Sequence, residues 1–576
     1  MGTSARDQGK SDVSVVLCGQ AGQGVQTVEF LLTRLVSRAG YHVFATKEYM
    51  SRIRGGANST TIRVSHRPVA APVDRIDLLI PLNEGAVEHV ARRISAKTVV
   101  LGERQITGDV PVLQTCTFFD VPFTAIASAL GNKLYSNVVA VGAIAGLLGL
   151  SSEHLRTQVR RFFAGKPSDV VDDNVKAADE GYAAAAKLDL PHELRLAEPN
   201  RVPVRGELLL NGGEAVGMGA IAGGCNFVSS YPMSPSTPVL TFLAQHAKDF
   251  GIIAEQAEDE IAAVNMAIGA WYAGARALVT TSGGGFALMT EGLSLAGMLE
   301  SPLVIHLAQR PGPATGLPTR TEQADLEMAV YAGHGEFPRI ILAPGTLEDG
   351  FYLTQRAFNL ADQYQVPVFI LTDQYYIDSY YSTPAFELSR MGIEKHIVST
   401  SRDYRRYEPV ATGVSPRGVP GYGEGLVVVD SDEHDEEGHI TEDAELRVRM
   451  VDKRLAKGET LMGDAVPPEV VGPPDYKNLV ICWGSTYHAV KEAVSRLERD
   501  DTAVLHYRQV YPVPRQTADY LRRAERTVIV EGNATAQFRR LIHLQAGIGV
   551  MHQVLNYDGL GFTVERILNR LRDTLA

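Results

Sequence analysis

Two glycine-rich segments near the N-terminus contain the residue types that bind phosphate groups. Gly19, Gly22 and Gly24 follow an apolar run and precede a stretch with helical periodicity. Glycine lets the backbone approach a phosphate closely, and the N-terminus of the following helix carries partial positive charge. Shortly afterwards, Arg52 and Arg54 stand beside a diglycine and could clamp an anion. These residues are therefore candidates for binding a phosphate-bearing ligand, although a tight turn without a ligand accounts for the first segment equally well.

The middle of the chain holds a denser set of motifs that could carry chemistry. They are Tyr231–Pro238, Glu255–Ala263, Thr280–Gly285 and Gln309–Thr319. Each lies at or just after a strand-like run, so all four are expected at the carboxyl edge of a parallel sheet, where ligands bind in such folds. Glu260 opens a helix whose small side chains would leave room for a flat, bulky ligand; they belong to Ala262, Ala263, Ala267 and Gly269. The acids Glu258, Asp259 and Glu260 can also be explained as partners of the helix dipole.

The elements that must position these residues are strands and helices that alternate along the chain. Near the N-terminus, a strand at Val13–Leu17, the glycine turn, a helix at Val25–Ala39 and a strand at Tyr41–Ala45 predict the start of a doubly wound unit. The turn has the spacing GxxGxG, not GxGxxG, and Ala45-Thr46-Lys47 supplies no acidic residue for a ribose. A nicotinamide dinucleotide site is therefore a poor fit.

Further apolar runs alternate with helical stretches through the rest of the chain. The clearest predicted strands are Leu78–Pro81, Thr98–Leu101, Phe227–Ser230, Ala277–Thr281, Leu303–Leu307, Arg339–Leu342, Val368–Leu371, Leu479–Trp483 and Thr527–Glu531. Such alternation favours parallel sheets covered by helices on both faces. We predict an α/β protein of three domains with mainly parallel sheets, at 1–190, 206–385 and 476–576. A linker at 191–205 and a long inter-domain excursion at 386–475 would connect them.

The overall composition bounds the class of protein. The chain has 576 residues, 45% of them hydrophobic, and a net charge of −12, which offers no electrostatic basis for binding nucleic acid. It has no run of about 18 apolar residues that would span a membrane, and its first residues do not resemble a secretory signal, so we expect a cytoplasmic protein. The four cysteines are Cys18, Cys116, Cys225 and Cys482, and their spacing predicts no metal or iron–sulfur site in this chain.

An acidic run at residues 430–439 contains His434 and His439 among carboxylates. Carboxylates with two histidines could ligate a divalent ion. A solvated surface loop, or a loop between subunits, is the interpretation that we favour.

Taken in order, the motifs resemble those of the 2-oxoacid:ferredoxin oxidoreductases. YPMSP, EDEIAAVNMAIGA, TSGGGFALMTEGLSLAGMLESP and QRPGPATGLPT resemble the thiamine pyrimidine-binding domain of these enzymes. GQAGQG and SRIRGGANS resemble their gamma domain, and ICWGST and EGN resemble their transketolase-C-like domain. The resemblance covers nearly the whole chain in the order of a fused gamma/alpha subunit. Excursions containing EHDE occur in the members specific for 2-oxoglutarate, which favours that substrate over pyruvate.

The resemblance implies roles for particular residues. Glu260 corresponds to the carboxylate that activates thiamine diphosphate through N1′ of its aminopyrimidine ring, with Glu258 and Asp259 as local rivals. Arg310 corresponds to the partner of the 2-oxoacid carboxylate, and Thr319 and the Ser234 hydroxyl to its hydrogen-bond partners. The family often has threonine where Ser234 stands, so the contact is expected to persist with a less constrained orientation. Further cofactor contacts are implied for Tyr231 and Pro232.

The resemblance also implies partners. We find no GDG motif of the kind that holds the magnesium and diphosphate in thiamine enzymes. A separate beta subunit is therefore expected to supply Mg²⁺ and a [4Fe-4S] cluster, with ferredoxin as electron acceptor and an (alpha-beta)₂ assembly. Coenzyme A would contact Gly22, Gly24, Arg52 and Arg54. The alternatives are the same chemistry on pyruvate or another 2-oxoacid, a non-catalytic scaffold or regulatory subunit and, more weakly, a nicotinamide-dependent oxidoreductase.

Overall fold

The computed structural model describes residues 9–21, 24–51, 55–189, 194–199 and 207–576. Three of the predicted anion-binding residues, Gly22, Arg52 and Arg54, lie outside these ranges. The chain divides into two compact units. The first consists of Met1–Leu210 with the short segments Ser379–Ala385 and Thr563–Glu565, and the second contains the remainder.

The N-terminal region is an α/β segment. Its strands are β1 (Asp12–Ala21), β2 (His42–Glu48), β3 (Gly55–Ser65), β4 (Leu78–Pro81), β5 (Val99–Gly102), β6 (Thr117–Asp120) and β7 (Leu208–Asn211). Its helices are α1 (Val25–Arg38), α2 (Ala86–Val90), α3 (Arg104–Thr107), α4 (Phe123–Ala129), α5 (Ser136–Leu147), α6 (Ser152–Phe162) and α7 (Ser168–Ala185).

The middle region continues the alternation. Its strands are β8 (Phe227–Ser230), β9 (Ile253–Gln256), β10 (Ala277–Thr281), β11 (Leu303–Gln309), β12 (Ile340–Leu342), β13 (Pro367–Asp373) and β14 (Tyr380–Thr383). Its helices are α8 (Gly212–Ala222), α9 (Thr237–Gln245), α10 (Ala247–Phe250), α11 (Glu260–Tyr272), α12 (Gly283–Leu288), α13 (Thr290–Met298), α14 (Leu326–Tyr331), α15 (Leu347–Tyr364) and α16 (Gln374–Asp378).

The C-terminal region begins with a long helix. Its helices are α17 (Ala444–Leu461), α18 (Tyr487–Ser495), α19 (Thr517–Arg522), α20 (Gln537–Ala546) and α21 (Val564–Leu575). Its strands are β15 (Glu469–Val471), β16 (Asn478–Trp483), β17 (Thr502–Tyr507), β18 (Gln509–Tyr511), β19 (Arg526–Glu531) and β20 (His552–Leu555).

The sheet of the first unit has the order β6-β5-β4-β1-β3-β2-β14-β7. One half is parallel, but β3 lies between β1 and β2 and is antiparallel to both. The diglycine of the second glycine-rich segment belongs to a strand, because β3 begins at Gly55. The expectation that no acidic residue ends the second strand is wrong, because β2 continues to Glu48. A dinucleotide site is instead disfavoured by β3, because it separates β1 from β2, which are adjacent parallel strands in a dinucleotide-binding unit.

The second unit contains two further sheets, with the orders β18-β12-β13-β11-β10-β8-β9 and β15-β17-β16-β19-β20. Their central strands are parallel, and β10, β11 and β13 are buried along their whole length, as expected for sheets covered on both faces. The α/β class and every strand predicted above from an apolar run are confirmed. Strand β18, from the C-terminal region, pairs antiparallel with β12 and so extends the first of these two sheets.

Part of the acidic run is built into the second unit. His434 is fully buried with its ring 3.8 Å from that of Tyr407, and Glu433 pairs with Arg454 at 2.8 Å. The solvated-loop interpretation is therefore wrong for these two residues, whereas His439 is exposed. Within the described ranges, no three His, Cys, Asp or Glu side chains are arranged to hold a metal ion. None of the described helices is long and apolar enough to cross a membrane.

Candidate active site

Three consecutive glycines at the start of α12 lie at the centre of the candidate site. A Cβ atom on Gly285 would lie 2.4 Å from Oε1 of Glu260 and 2.3 Å from Oγ1 of Thr281. Real Cβ atoms do not approach other atoms so closely. Glycine at this position therefore allows the Glu260 carboxyl group to pack directly against the backbone of α12.

The other two glycines bring the remaining motifs to the same place. A Cβ atom on Gly283 would lie 2.4 Å from Oδ2 of Asp325. One on Gly284 would face Sδ of Met233 at 4.0 Å and the carbonyl oxygen of Ala314 at 3.8 Å. All four motifs identified in the middle of the chain thus meet at this turn, as expected for loops at the carboxyl edge of a parallel sheet.

The three acids at the start of α11 have different environments. Glu258 is exposed, and Asp259 caps the helix by accepting a hydrogen bond of 2.7 Å from the backbone N–H of Ala262. Glu260 is buried, and its Oε1 has no hydrogen-bond partner in the described structure. Burial raises the pKa of the Glu260 carboxyl, a hydrogen bond from its own backbone N–H opposes this, and the charge of Asp259 adds to the increase. Glu260 is thus the carboxyl group that can hold a proton next to a bound ligand.

Arg310 lies immediately after β11, at the same edge of the sheet. Its Nη1 donates a hydrogen bond of 2.6 Å to the backbone carbonyl of Ser234, while its Nε is buried without a described acceptor. Burial lowers the pKa of Arg310, and the nearby charge of Asp325 partly offsets the effect. Because a guanidinium group stays charged, Arg310 is chemically suited to bind a carboxylate.

For the other predicted contact residues, the structure shows the burial but does not test their roles. Thr319 is buried, while Tyr231 and Ser234 are exposed and Pro232 is partly buried. The contact described between Ser234 and Arg310 uses the serine carbonyl, so the structure leaves the predicted role of the hydroxyl group untested.

The small residues of α11 serve two purposes. Ala263 and Ala267 are fully buried and pack into the apolar core, so the expectation that they leave room for a ligand is wrong. Ala262 is partly buried and Gly269 is exposed with open space around it. Only these two of the four small side chains leave the outer face of the helix open.

Three polar residues of the site had no predicted role: Ser282 and Gln309 lie inside the predicted motifs, and Asp325 lies outside them. Asp325 is partly exposed as a residue, but its Oδ2 is buried and unpartnered, as is Oγ of Ser282. Gln309 accepts a hydrogen bond from the backbone N–H of Asp325 at 3.0 Å and donates to the carbonyl of Thr372 at 3.1 Å. Burial and, to a smaller extent, the charge of Glu322 raise the pKa of Asp325 to about 7, against the opposing charge of Arg310.

The loop that carries Asp325 is anchored on the third sheet. The side-chain Nε2 of Gln323 donates to the carbonyl of Trp483 at 3.0 Å, and its Oε1 accepts from the N–H of Gly532 at 2.8 Å. Asn533 donates to the carbonyl of Gln323 at 3.1 Å. The EGN motif noted in the C-terminal region therefore helps to fix a loop of the site.

The first unit contains a separate cleft of about 700 Å³. Gly24 lies on its wall in the left-handed conformation at φ 79°, and Thr27, Lys133, Tyr135 and Asn137 line it as well. Of the residues expected to contact coenzyme A, Gly24 alone falls within the described ranges.

Two family models match the chain. Residues 218–453 match the model described as pyruvate flavodoxin/ferredoxin oxidoreductase, thiamine diphosphate-binding. Residues 14–184 match the model described as pyruvate ferredoxin/flavodoxin oxidoreductase. The first match contains all of the motifs that meet at the glycine turn.

Relatives resemble the chain over nearly its full length. The alpha subunit of a 2-oxoacid:ferredoxin oxidoreductase from a Sulfolobus species is 31% identical, covering 96% of this chain and 95% of the relative. The 2-oxoglutarate oxidoreductase subunit KorA of Mycobacterium tuberculosis is 27% identical, covering 98% and 92%. Among solved structures, the 2-oxoglutarate:ferredoxin oxidoreductase of Magnetococcus marinus, with 2-oxoglutarate, coenzyme A and succinyl-CoA bound, matches with a TM-score of 0.93 at 30% identity, covering 98% of this chain and all of that one.

Proposed function

The chain belongs to the 2-oxoacid:ferredoxin oxidoreductase family as an alpha subunit, and on that premise we propose that it converts 2-oxoglutarate, coenzyme A and oxidised ferredoxin into succinyl-CoA, CO₂ and reduced ferredoxin, or catalyses the reverse. Two relatives support 2-oxoglutarate as the substrate: the mycobacterial subunit by its name and the Magnetococcus enzyme by its bound ligands. The acidic EHDE segment supports the same choice.

The observation that carries the proposal is the buried, unpartnered Oε1 of Glu260, which packs against the glycine turn. A buried polar atom without a partner costs free energy, so a ligand that hydrogen-bonds to it is favoured. The raised pKa of Glu260 suits a group that exchanges a proton with a ring nitrogen. The residues therefore fit the aminopyrimidine of thiamine diphosphate, and Glu260 would be the residue that hydrogen-bonds to it.

Thiamine diphosphate, when bound, supplies the nucleophilic carbon that adds to the keto group and accommodates the electrons released with CO₂. Glu260 holds or releases the proton at N1′. Arg310 binds the substrate carboxylate, and Thr319 and the hydroxyl of Ser234 orient it. Tyr231 and Pro232 complete the wall next to the cofactor.

The other ligands and partners of the reaction follow from the same premise. Coenzyme A contacts Gly22 and Gly24 at the turn before α1, and Arg52 and Arg54 supply charge for its phosphates. A beta subunit provides Mg²⁺, the contacts to the diphosphate and a [4Fe-4S] cluster, and ferredoxin accepts the electrons one at a time. The alpha subunit alone is inactive, and the working enzyme is an (alpha-beta)₂ assembly in the cytoplasm.

The assignment of Glu260 is tested by an isosteric change in the enzyme purified with its beta subunit. Glu260→Gln keeps the shape of the side chain but cannot exchange the proton, so we expect the rate of 2-oxoglutarate-dependent dye reduction to fall by at least about 100-fold. Glu258→Gln is the matched control, because this exposed neighbour is expected to leave the rate unchanged. Near-normal turnover of Glu260→Gln would refute the assignment.

The substrate is tested on the same preparation with a panel of 2-oxoacids. We expect kcat/KM to be highest for 2-oxoglutarate, and both coenzyme A and the beta subunit to be required. Comparable values for pyruvate would identify the second candidate, the same chemistry on pyruvate, which the descriptions of the family models favour. Failure to turn over any 2-oxoacid would support a scaffold or regulatory subunit instead.

A further inference from the structure

Asp325 lies inside the candidate site, and the proposed reaction gives it no role. Its Oδ2 packs against the backbone of Gly283 so closely that a Cβ there would lie 2.4 Å away. The same oxygen is sealed from solvent and has no hydrogen-bond partner in the described structure. A structural carboxylate would normally be hydrogen-bonded or paired, so this arrangement needs another explanation.

The position of Asp325 is fixed by its backbone, not by its carboxyl group. Its N–H donates to the Oε1 of Gln309, the residue immediately before Arg310, at 3.0 Å. The preceding carbonyl, that of Ala324, accepts a hydrogen bond of 2.8 Å from Gln537. The backbone of Asp325 is thus held beside Gln309, the chain neighbour of Arg310, while Oδ2 remains unpaired.

We propose that Asp325 is a positioning residue that competes with the carboxylate of the 2-oxoacid for Arg310, and so makes the affinity for substrate depend on its own protonation. This inference rests on the proposed function. A carboxylate bound at Arg310 brings a like charge close to Asp325 and favours the protonated form of Asp325. By linkage, the protonated form of Asp325 binds the substrate more tightly than the ionised form.

The charged groups that face Asp325 come from two places. Arg310, on the loop after β11, stabilises the ionised form, and Glu322, on the same loop as Asp325, destabilises it. The packed helix α12 (GGGFAL) has no titratable side chain. The pKa of Asp325, about 7, lies in the range where enzymes work, because burial of the carboxyl group outweighs the charge of Arg310.

The test measures KM for 2-oxoglutarate, with pyruvate as a second probe, between about pH 6 and pH 8.5 in the enzyme with its beta subunit. For wild type we expect KM to rise about tenfold across the ionisation of Asp325, since a coupling of about one pKa unit corresponds to a factor of ten. In Asp325→Asn, KM should stay at the low-pH value throughout. Asp325→Glu should restore the rise.

Glu322→Gln supplies an independent variant that leaves Asp325 intact. Removing the charge that opposes ionisation should move the midpoint of the KM profile to lower pH without flattening it. If Asp325→Asn fails to fold, as judged by its circular dichroism, this shift carries the test.

Two results would overturn the inference alone: KM profiles of Asp325→Asn and wild type that coincide, or a loss in kcat with KM unchanged. No turnover of either oxoacid by wild type would instead overturn the proposed function, and this inference with it.

Discussion

The Glu260 carboxyl group reaches the start of α12 because Gly285 has no Cβ. The close packing there, 2.4 Å from a hypothetical Cβ to Oε1, leaves no room for even the smallest side chain. The backbone of Gly285 is thus part of the site, although glycine contributes no functional group. A methyl group at this position would displace either Glu260 or Thr281.

Gly285→Ala is therefore expected to destabilise the chain by about 1–3 kcal/mol through overpacking and to abolish most activity by moving the Glu260 carboxyl. Urea denaturation measures the first effect and 2-oxoacid turnover the second. Gly269→Ala, in the middle of α11 with open space around it, is the matched control and should stabilise the chain by about 0.5–1 kcal/mol. Equal stabilities of the two variants would contradict the packing argument.

The sequence contained a signal for Glu260 but not for Asp325. An acid that opens a helix at the end of a strand can be located from the apolar pattern and the cap, although this did not distinguish Glu260 from its two neighbours. Their difference is one of burial, which depends on the approach of Gly285 from another loop. Asp325 sits in a loop without periodicity, and its environment is created by Gly283 and Arg310, which are distant in sequence.

At the scale of elements, a buried charge cluster joins α17 to the residues that follow α13. Lys453 and Lys457 are four residues apart and lie on one face of α17, where both reach Glu300, at 2.8 and 2.5 Å. Burial alone would raise the pKa of Glu300, but the charges of Lys457, Lys453 and Arg406 outweigh it and hold the pKa far below its ordinary value. The cluster attaches the excursion between the predicted domains to the core of the second unit.

Glu300→Gln should destabilise the chain by about 3–5 kcal/mol, because it leaves Lys453 and Lys457 buried without their counter-charge. The comparison is Glu459→Gln, which removes an exposed ion pair with Arg515 and should change stability by less than about 1 kcal/mol. Both values come from urea denaturation of the isolated chain. A small effect of Glu300→Gln would show that the cluster does not hold the excursion in place.

Apolar runs predicted eleven of the twenty strands in the described ranges, and β3 is the most informative of those that they missed. Apolar runs revealed most of the strands that are buried on both faces, because such strands need apolar side chains, although the buried β17 was missed. Strand β3 begins with two glycines, and its buried residues include many polar ones: Ser59, Thr60, Thr61, Arg63 and Ser65. They are accommodated by specific partners, such as Asp12, which accepts from Nε of Arg63 at 2.7 Å. A strand stabilised by such pairs has no hydrophobic signature.

At the scale of the whole molecule, the candidate binding regions for the two substrates lie in different compact units. The oxoacid and thiamine residues belong to the second unit, and the cleft beside Gly24 belongs to the first. If each unit binds its own ligand, changes in one should affect the affinity for that ligand without changing the affinity for the other. Kinetic constants for the two substrates can therefore separate the contributions of the units.

Gly24→Ala is expected to raise KM for coenzyme A and to leave KM for the 2-oxoacid unchanged. The residue has a left-handed backbone that disfavours alanine, and a Cβ would lie 2.1 Å from Nδ2 of Asn137 on the cleft wall. Gly165→Ala, in the same unit with no atom near its Cβ and without a left-handed backbone, should change neither constant. The measurement is initial-rate kinetics with each substrate varied in turn. A general loss of folded enzyme lowers kcat without altering either KM. Only a selective rise in KM for coenzyme A therefore supports a binding site at this turn. Equal rises in both KM values would count against it.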